Sequence, residues 1–188
     1  MDGYHYPLEV LRTMMNTNPV LGDLIYRRGA PDTFDTFTLS NDLQRIRSKM
    51  SKSSKAFLDD DDDIIYIPGF DHSKGDPSPR EHKFIRDEHQ VVIMEGLYLH
   101  LTDIGDEIEQ DAIRSVRGWN DISIQFDLKI FIDADLNSCI ERLKIRNKCI
   151  PGYTPEEIDV RCDVVDRSNA LIVLSKKSHA DLVVRSCL

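Results

Sequence analysis

Glu95 directly follows four apolar residues, Val91-Val92-Ile93-Met94, and directly precedes Gly96. A short continuous apolar run of this kind reads as a buried strand of a parallel sheet covered on both faces, ending in a tight turn. In open α/β sheets ligands sit beyond the carboxyl ends of the strands. Glu95 therefore stands where such an architecture does its chemistry, unless it only marks the strand's end. Arg28 lies in a loop, Tyr26-Arg27-Arg28-Gly29-Ala30-Pro31-Asp32-Thr33-Phe34-Asp35. Its fork of five donors suits oxyanions or hydroxyl-rich ligands. Arg142 and Arg146 are spaced i, i+4, on one face of an expected helix just before a loop at Cys149 to Tyr153. They are either a paired cationic site or part of a solvated face shared with Glu141 and Lys144.

Positioning these residues falls to a chain that alternates strands and helices. Pro7 to Asn16 carries Leu8, Leu11 and Met15 at helical spacing, and Asn18-Pro19 ends it. Ser40 or Asn41 is expected to cap a helix running to about Met50, with Leu43 and Ile46 inward. Ser51 to Asp63 ends in five consecutive aspartates, Asp59 to Asp63; like charges in a block favour a solvated, variable loop. Ile64 to Ile67 reads as a short strand, with Pro68 to Pro77 as a polar loop at its carboxyl end. Asp106 to Arg117 can be helical. Leu128 to Asp133 reads as a third strand, Leu136 to Lys148 as a helix, and Asp181 to Val184 as a last strand. Thr154-Pro155-Glu156-Glu157 is a helix start: a cap, proline at the first position, then acids in the first turn. That helix is expected to reach about Leu171. Strands alternating with helices specify a parallel sheet wrapped by helices, an α/β fold.

Composition excludes several function classes. The 188 residues suit a single domain with a sizeable core. A formal net charge of −9 argues against a nucleic-acid binder, which needs a basic face. No apolar run approaches the roughly 20 residues that span a bilayer, and the N-terminus does not resemble a signal peptide. Cys139, Cys149, Cys162 and Cys187 are scattered without a C-x-x-C pair, so a reducing cytoplasm is expected, with no disulfide framework or cysteine metal site. Oligomeric state is left open.

Several segments together resemble one family. Met1-Asp2-Gly3-Tyr4-His5, the Arg27 to Asp35 loop, Pro68-Gly69-Phe70-Asp71-His72 with Asp76-Pro77, and Ile93-Met94-Glu95-Gly96-Leu97-Tyr98-Leu99 occur in family order across nearly the whole chain. They are similar to the P-loop kinases of the uridine kinase and pantothenate kinase group, most of all to fungal uridine-kinase-like ATP-dependent kinases. The resemblance implies a three-layer P-loop fold with a parallel sheet. The implied activity is transfer of the ATP γ-phosphoryl group to a hydroxyl of a small metabolite, a nucleoside being the leading candidate, with Mg²⁺ as cofactor. Such chemistry rests on positioning and charge stabilisation.

Residue by residue, Asp2 matches the carboxylate that accepts the substrate hydroxyl's proton. Tyr4 and His5 resemble substrate-contacting positions, Arg28 the guanidinium that orders the substrate side, and Asp32 and Asp35 braces of that loop. Asp71 and His72 line the analogous rim. Glu95 matches the acid that assists Mg²⁺ and its waters, since Mg²⁺ needs only one or two carboxylates beside the phosphates. Arg142 and Arg146 resemble lid arginines that neutralise the transferring phosphoryl. Asn169-Ala170 resembles a pair near the nucleotide base.

The family's signature G-x-x-x-x-G-K-[ST] loop, which cradles phosphates with backbone N–H groups and a lysine, occurs nowhere in these 188 residues. By resemblance the fold is thus N-terminally truncated: its first strand belongs between residues 91–94 and 128–132. Without it, inner strands lose ladder partners, each buried unpaired group costing about 1–3 kcal/mol. Several would rival a domain's net stability of roughly 5–15 kcal/mol. Because the methionine before Asp-Gly commonly lies inside such chains, the expectation is a longer, complete kinase. The competing expectation is a catalytically inactive kinase remnant that binds a metabolite or protein partner.

Overall fold

The computed structural model describes residues 1–50, 64–102, 113–148 and 152–186. The acidic stretch 51–63, the first part of the helix expected from Asp106, and part of the loop at 149–153 lie outside the described residues.

Helix α1 (Leu8–Thr17) forms as expected and buries Leu11. Pro7 precedes it as N-cap, and the Leu8 N–H donates to Asp76 Oδ1 at 3.0 Å, so a carboxylate distant in sequence satisfies one of its free amides. Helix α2 (Thr36–Met50) starts a turn earlier than expected. Its cap is Asp35, which accepts from the Thr38 N–H at 3.0 Å, rather than Ser40 or Asn41. Leu43 and Ile46 do face the core.

The expected polar loop at Pro68 to Pro77 is replaced by a hairpin. Strand β1 (Ile64–Asp71) runs on through a register shift between Ile67 and Gly69, turns at 72–75, and pairs antiparallel with β2 (Asp76–Ile85). A bulge lets a strand absorb the Pro68-Gly69 pair without losing its partner.

Helix α3 (Ile113–Ser123) leads to β3 (Ile130–Asp133) and α4 (Leu136–Asn147), whose cap Asp135 accepts from the Ser138 N–H at 2.8 Å. Helix α5 (Pro155–Arg161) opens with the full capping box: Thr154 Oγ1 accepts from Glu157 N–H and Glu157 Oε2 from Thr154 N–H. A π-helical turn, Cys162–Asp166, joins it to α6 (Arg167–Ser175). The last strand, β4 (Leu182–Arg185), lies parallel to β3, with Ile130 opposite Leu182 and Asp133 opposite Arg185. Among the described residues this is the parallel part of the sheet, and the fold is mixed α/β.

The main core gathers Tyr4, Phe34, Leu39, Leu43, Tyr98, Leu99, Leu101, Trp119 and Ile122. Phe34, Tyr98 and Trp119 meet edge-on or tilted, with centroids 5.4–5.8 Å apart, the arrangement aromatic quadrupoles favour. Trp119 Nε1 donates to the Pro31 carbonyl at 3.2 Å.

Residues 91–94 are not a buried strand. They take part in no ladder among the described residues, and Val91 and Ile93 are 76% and 91% exposed. Their apolar character was read correctly. Burial requires a neighbouring strand, however, and the space toward β3 is a cavity. Across that cavity Ile132 of β3 is likewise 64% exposed. No helix among the described residues is long and apolar enough to cross a membrane.

Candidate functional site

The N-terminal turn Asp2–Tyr4 lies against β1. Gly3 permits this: a Cβ there would overlap the Pro68 carbonyl and stand 2.8 Å from the Gly69 carbonyl oxygen. Backbone bonds from Tyr6 N–H to Thr33 O (2.9 Å) and from Asp35 N–H to Tyr4 O (2.8 Å) tie the same turn to the loop before α2. Asp2 stays exposed at the mouth of a cavity of about 450 Å³ between this turn, the β1–β2 hairpin and residues 92–95.

Tyr4 is buried, and its hydroxyl donates to Asp42 Oδ2 at 3.1 Å. Burial first, then the Asp42 charge, pushes the phenol's pKa up, and burial pushes the Asp42 carboxyl up against the pull of Tyr4 and Arg45. Tyr4 thus lines the cavity with its body while its polar end is engaged in the core.

His5 stacks tilted on Phe34 (4.0 Å) and Phe70 (5.4 Å), and Phe70 meets His72 at 5.1 Å. Burial and the Arg28 charge lower the His5 pKa, opposed by the bond between its Nδ1 and the Asp2 carbonyl, so the ring is neutral at pH 7. Arg28 lies 5.6 Å above the Phe70 ring. Its guanidinium donates to the Tyr6 carbonyl (2.9 Å), to Asp76 Oδ1 (2.8 Å) and to the Gly75 carbonyl. Those donors hold the hairpin turn. Of the neighbouring acids expected to brace the loop, Asp32 does so by accepting from Arg27, whereas Asp35 caps α2.

Asp71 organises the turn at 72–75, accepting from the Ser73 hydroxyl (2.6 Å) and the Ser73 N–H (2.9 Å), with Lys74 Nζ at 3.3 Å. The Ser73 hydroxyl bond above all holds its carboxyl down to about 2. His72 is exposed on the rim of the smaller cavity. Glu95 borders both this cavity and the larger one; its carbonyl accepts from the Met1 ammonium at 3.0 Å, and its 88% exposed carboxylate lies 4.0 Å from that ammonium.

The structure thus brings Asp2, Tyr4, His72 and Glu95 around one cavity, with His5 and Arg28 behind it and Asp71 shaping its rim. Glu81 and His82 of β2 also line it and were missed. The signal was the step from charged residues into Phe84 and Ile85, a strand pattern interrupted upstream by Pro77 and Pro79. Arg142 and Arg146 lie on the exposed side of α4, and Arg146 Nε donates to Asn147 Oδ1 at 3.3 Å. Asn169 is buried in α6 beside Gly29. None of these three borders either cavity.

The larger cavity, about 880 Å³, separates residues 90–97 from β3. Its lining is mostly apolar; among its cations, Arg47 is engaged with the Gln125 carbonyl and with Asp127 at 2.8 Å. Such a wall does not fit a triphosphate. Among the described residues no group of three or more His, Cys, Asp or Glu side chains could hold a metal on its own. Asp2 and Glu95 both border the smaller cavity, and a cation that keeps its waters needs only one or two carboxylates beside a phosphate.

No protein-family model matches the chain. It is 38% identical over 156 residues to the ATP-dependent kinase-like protein notR' of Aspergillus versicolor, covering 83% of this chain and 75% of that one. It is 35% identical over 118 residues to the ATP-dependent kinase YFH7 of Candida glabrata, where it spans only 32% of the relative's length. A Schizosaccharomyces pombe chain provisionally named a uridine kinase is 27% identical over 187 residues, 98% of this chain and 67% of that one. Among solved structures, YFH7 of Saccharomyces cerevisiae, titled as a P-loop containing kinase with a circular permutation, superposes with a TM-score of 0.70 at 23% identity, covering all of this chain and 57% of that one. A provisional fructose transport system kinase from Silicibacter sp. TM1040 gives 0.68 at 23%, covering 98% of this chain and 72% of that one. The expected α/β P-loop kinase fold is the one these neighbours share, and among the described residues its parallel part is the β3–β4 pair.

Proposed function

The chain belongs to the P-loop kinase family of ATP-dependent kinase-like proteins, and from that premise we propose that it serves phosphoryl transfer from ATP to a hydroxyl of a small metabolite, a nucleoside first, in the cytoplasm. The observation that carries this reading is the pair of exposed carboxylates, Asp2 and Glu95, on one cavity whose far rim carries the Phe70 and His72 rings. The fission-yeast relative's name supports a nucleoside, and the edge-on Phe70 and His72 rings offer aromatic surface to a planar base.

In this reading the acceptor hydroxyl lies beside Asp2, which takes its proton as the oxygen bonds to the γ-phosphorus and the bond to the ADP oxygen breaks. ATP supplies the phosphoryl group and Mg²⁺ charge neutralisation when bound. Glu95 would hold the ion's water shell, Asp71 and Arg28 fix the turn that presents His72, and Tyr4 walls the acceptor pocket with neutral His5 behind it. Arg142 and Arg146, on the exposed side of α4, would reach the phosphoryl only with that helix closed over it, and Asn169, packed beside Gly29, would act on the nucleotide only through its neighbours.

The phosphate-cradling part is proposed to come with a strand encoded upstream of Met1, seated in the larger cavity between residues 90–97 and β3. Supporting this, both walls present apolar side chains to the gap. A second reading, a kinase remnant without turnover, is favoured by the same apolar wall.

The test takes protein from its native source, identifies its N-terminal peptides by mass spectrometry, and assays ATP-dependent phosphorylation of a nucleoside panel. Upstream peptides spelling an apolar strand and a glycine-rich Lys-Ser/Thr loop should accompany turnover, and Asp2→Asn should lower it about 10²–10⁴-fold. A true terminus at Met1 or Asp2 with no phosphorylated product would leave the remnant reading and remove Asp2's role.

A further inference from the structure

Arg161, the last residue of α5, points its guanidinium at the loop that carries Arg28. Its Nε donates to the Tyr26 carbonyl at 3.1 Å and its Nη2 to the Arg28 carbonyl at 2.9 Å. Nη1 faces both Asp166 oxygens at 3.3 and 3.4 Å, and both side chains are more than four-fifths buried. Residues five apart on an α-helix point about 140° away from each other. The π-helical turn Cys162–Asp166 reduces that offset, since its i→i+5 bonding brings the fifth residue round to nearly the same side. The extra residue in the helix is what places a carboxylate under Arg161.

The loop so gripped passes the hold onward. Arg28, its carbonyl fixed by Arg161, sends its own side chain to Tyr6, Gly75 and Asp76. Gly75 and Asp76 close the turn that bears His72. A continuous set of hydrogen bonds therefore runs from α5 to the rim of the smaller cavity. We propose that Arg161, oriented by Asp166 across the π turn, is a positioning residue for the acceptor side of the site, fixing the Arg28 loop and through it the His72 turn. Its kinetic consequence rests on the kinase reading above; its structural consequence does not.

Two readouts on Arg161→Gln, Arg161→Lys and Asp166→Asn separate the possibilities. The first is amide hydrogen exchange. In Arg161→Gln the loop amides near Arg28 and Ala30 and the turn amides at 73–75 should exchange about tenfold faster, the effect of losing one bond to a charged donor. The β3–β4 amides should not change. Asp166→Asn should show the same pattern at smaller size, and Arg161→Lys should restore part of it. The second is steady-state kinetics on protein that turns over. The acceptor KM should rise about tenfold while kcat and the ATP KM stay within about twofold. Faster exchange confined to 26–30, faster exchange everywhere, or a fall in kcat at constant acceptor KM would each overturn the proposal. If the unaltered protein phosphorylates nothing, the kinase reading fails, yet the exchange pattern still decides whether Arg161 holds the turn.

Discussion

The two walls of this molecule are held in opposite ways. On the acceptor side, the loop 26–34 is gripped from four directions: Arg161 from α5, Tyr98 through its hydroxyl to Gly29 O at 2.7 Å, Trp119 from α3, and Arg28 into the hairpin. Little of this is regular secondary structure; side chains aimed at main-chain carbonyls hold irregular backbone in place. On the other side, residues 91–95 and β3 have strand-like sequences, β-branched and apolar, yet face each other across an open cavity. Side-chain pins make a loop self-sufficient. A strand depends on its neighbour. The first wall is therefore held within the described residues, whereas residues 91–95 take part in no ladder among them.

The largest effect that would sharpen this contrast is on the pinned side. Trp119 is fully buried, touches Phe34 and Tyr98, and donates to Pro31. Trp119→Ala should cost about 3–5 kcal/mol, by cavity formation and an orphaned carbonyl, a large part of a typical domain stability. Urea unfolding measures it. A loss under 1 kcal/mol would mean that the pinned wall is not where the stability lies.

A smaller, pH-dependent effect follows from His5. Burial, with Arg28 nearby, lowers its folded pKa below the ordinary 6.5. The unfolded chain then binds the proton first as pH falls. The contribution is complete above about 6.5 and is lost as pH drops through that value toward the folded pKa. His100, lowered by burial and by Lys129 and His179, acts in the same direction. Thermal unfolding between pH 7 and 5.5 should therefore show falling stability, with a shallower slope in His5→Gln. Equal slopes in both proteins would show that His5 is solvated, and that the pinned wall is looser than its hydrogen bonds indicate.

How much was legible in the sequence divides along the same line. Helix starts were legible where the cap is local, as in the Thr154–Glu157 box, because both partners lie three residues apart. Where several capping types crowd together, as from Asp35 to Asn41, composition cannot choose among them, and the helix took the earliest. The β1–β2 hairpin was read as a loop because Pro68, Gly69, Pro77 and Pro79 are turn residues by type, and only the bulge and the partner strand show that the backbone still pairs. With β2 unread, Glu81 and His82 could not be placed on the cavity. Asp2 and His72 were named by resemblance and Glu95 first by its place after an apolar run; no spacing rule brings residues 2, 72 and 95 together. The Arg161–Asp166 pair was invisible to any α-helical period. At Val91 to Met94 the apolar run was read as a buried strand and is an exposed, unpaired segment, because a run alone does not show whether a neighbour covers it.

The smallest expected effect is the one that can break the comparison. Ile93 is 91% exposed and lies between the two cavities. Ile93→Asp in the 188-residue chain should change stability by less than about 0.5 kcal/mol, as surface substitutions away from packed features do. In a chain whose larger cavity is filled by a paired strand, the same aspartate is taken out of water without a partner, and the cost should rise above about 2 kcal/mol. Chemical unfolding of both proteins, with and without the substitution, gives the coupling directly. A cost above about 2 kcal/mol in the 188-residue chain alone would mean that residues 91–95 are already covered in solution. The contrast between a finished wall and an unfinished one would then disappear. Equal, small costs in both chains would leave the wall open and show that the added strand seats elsewhere.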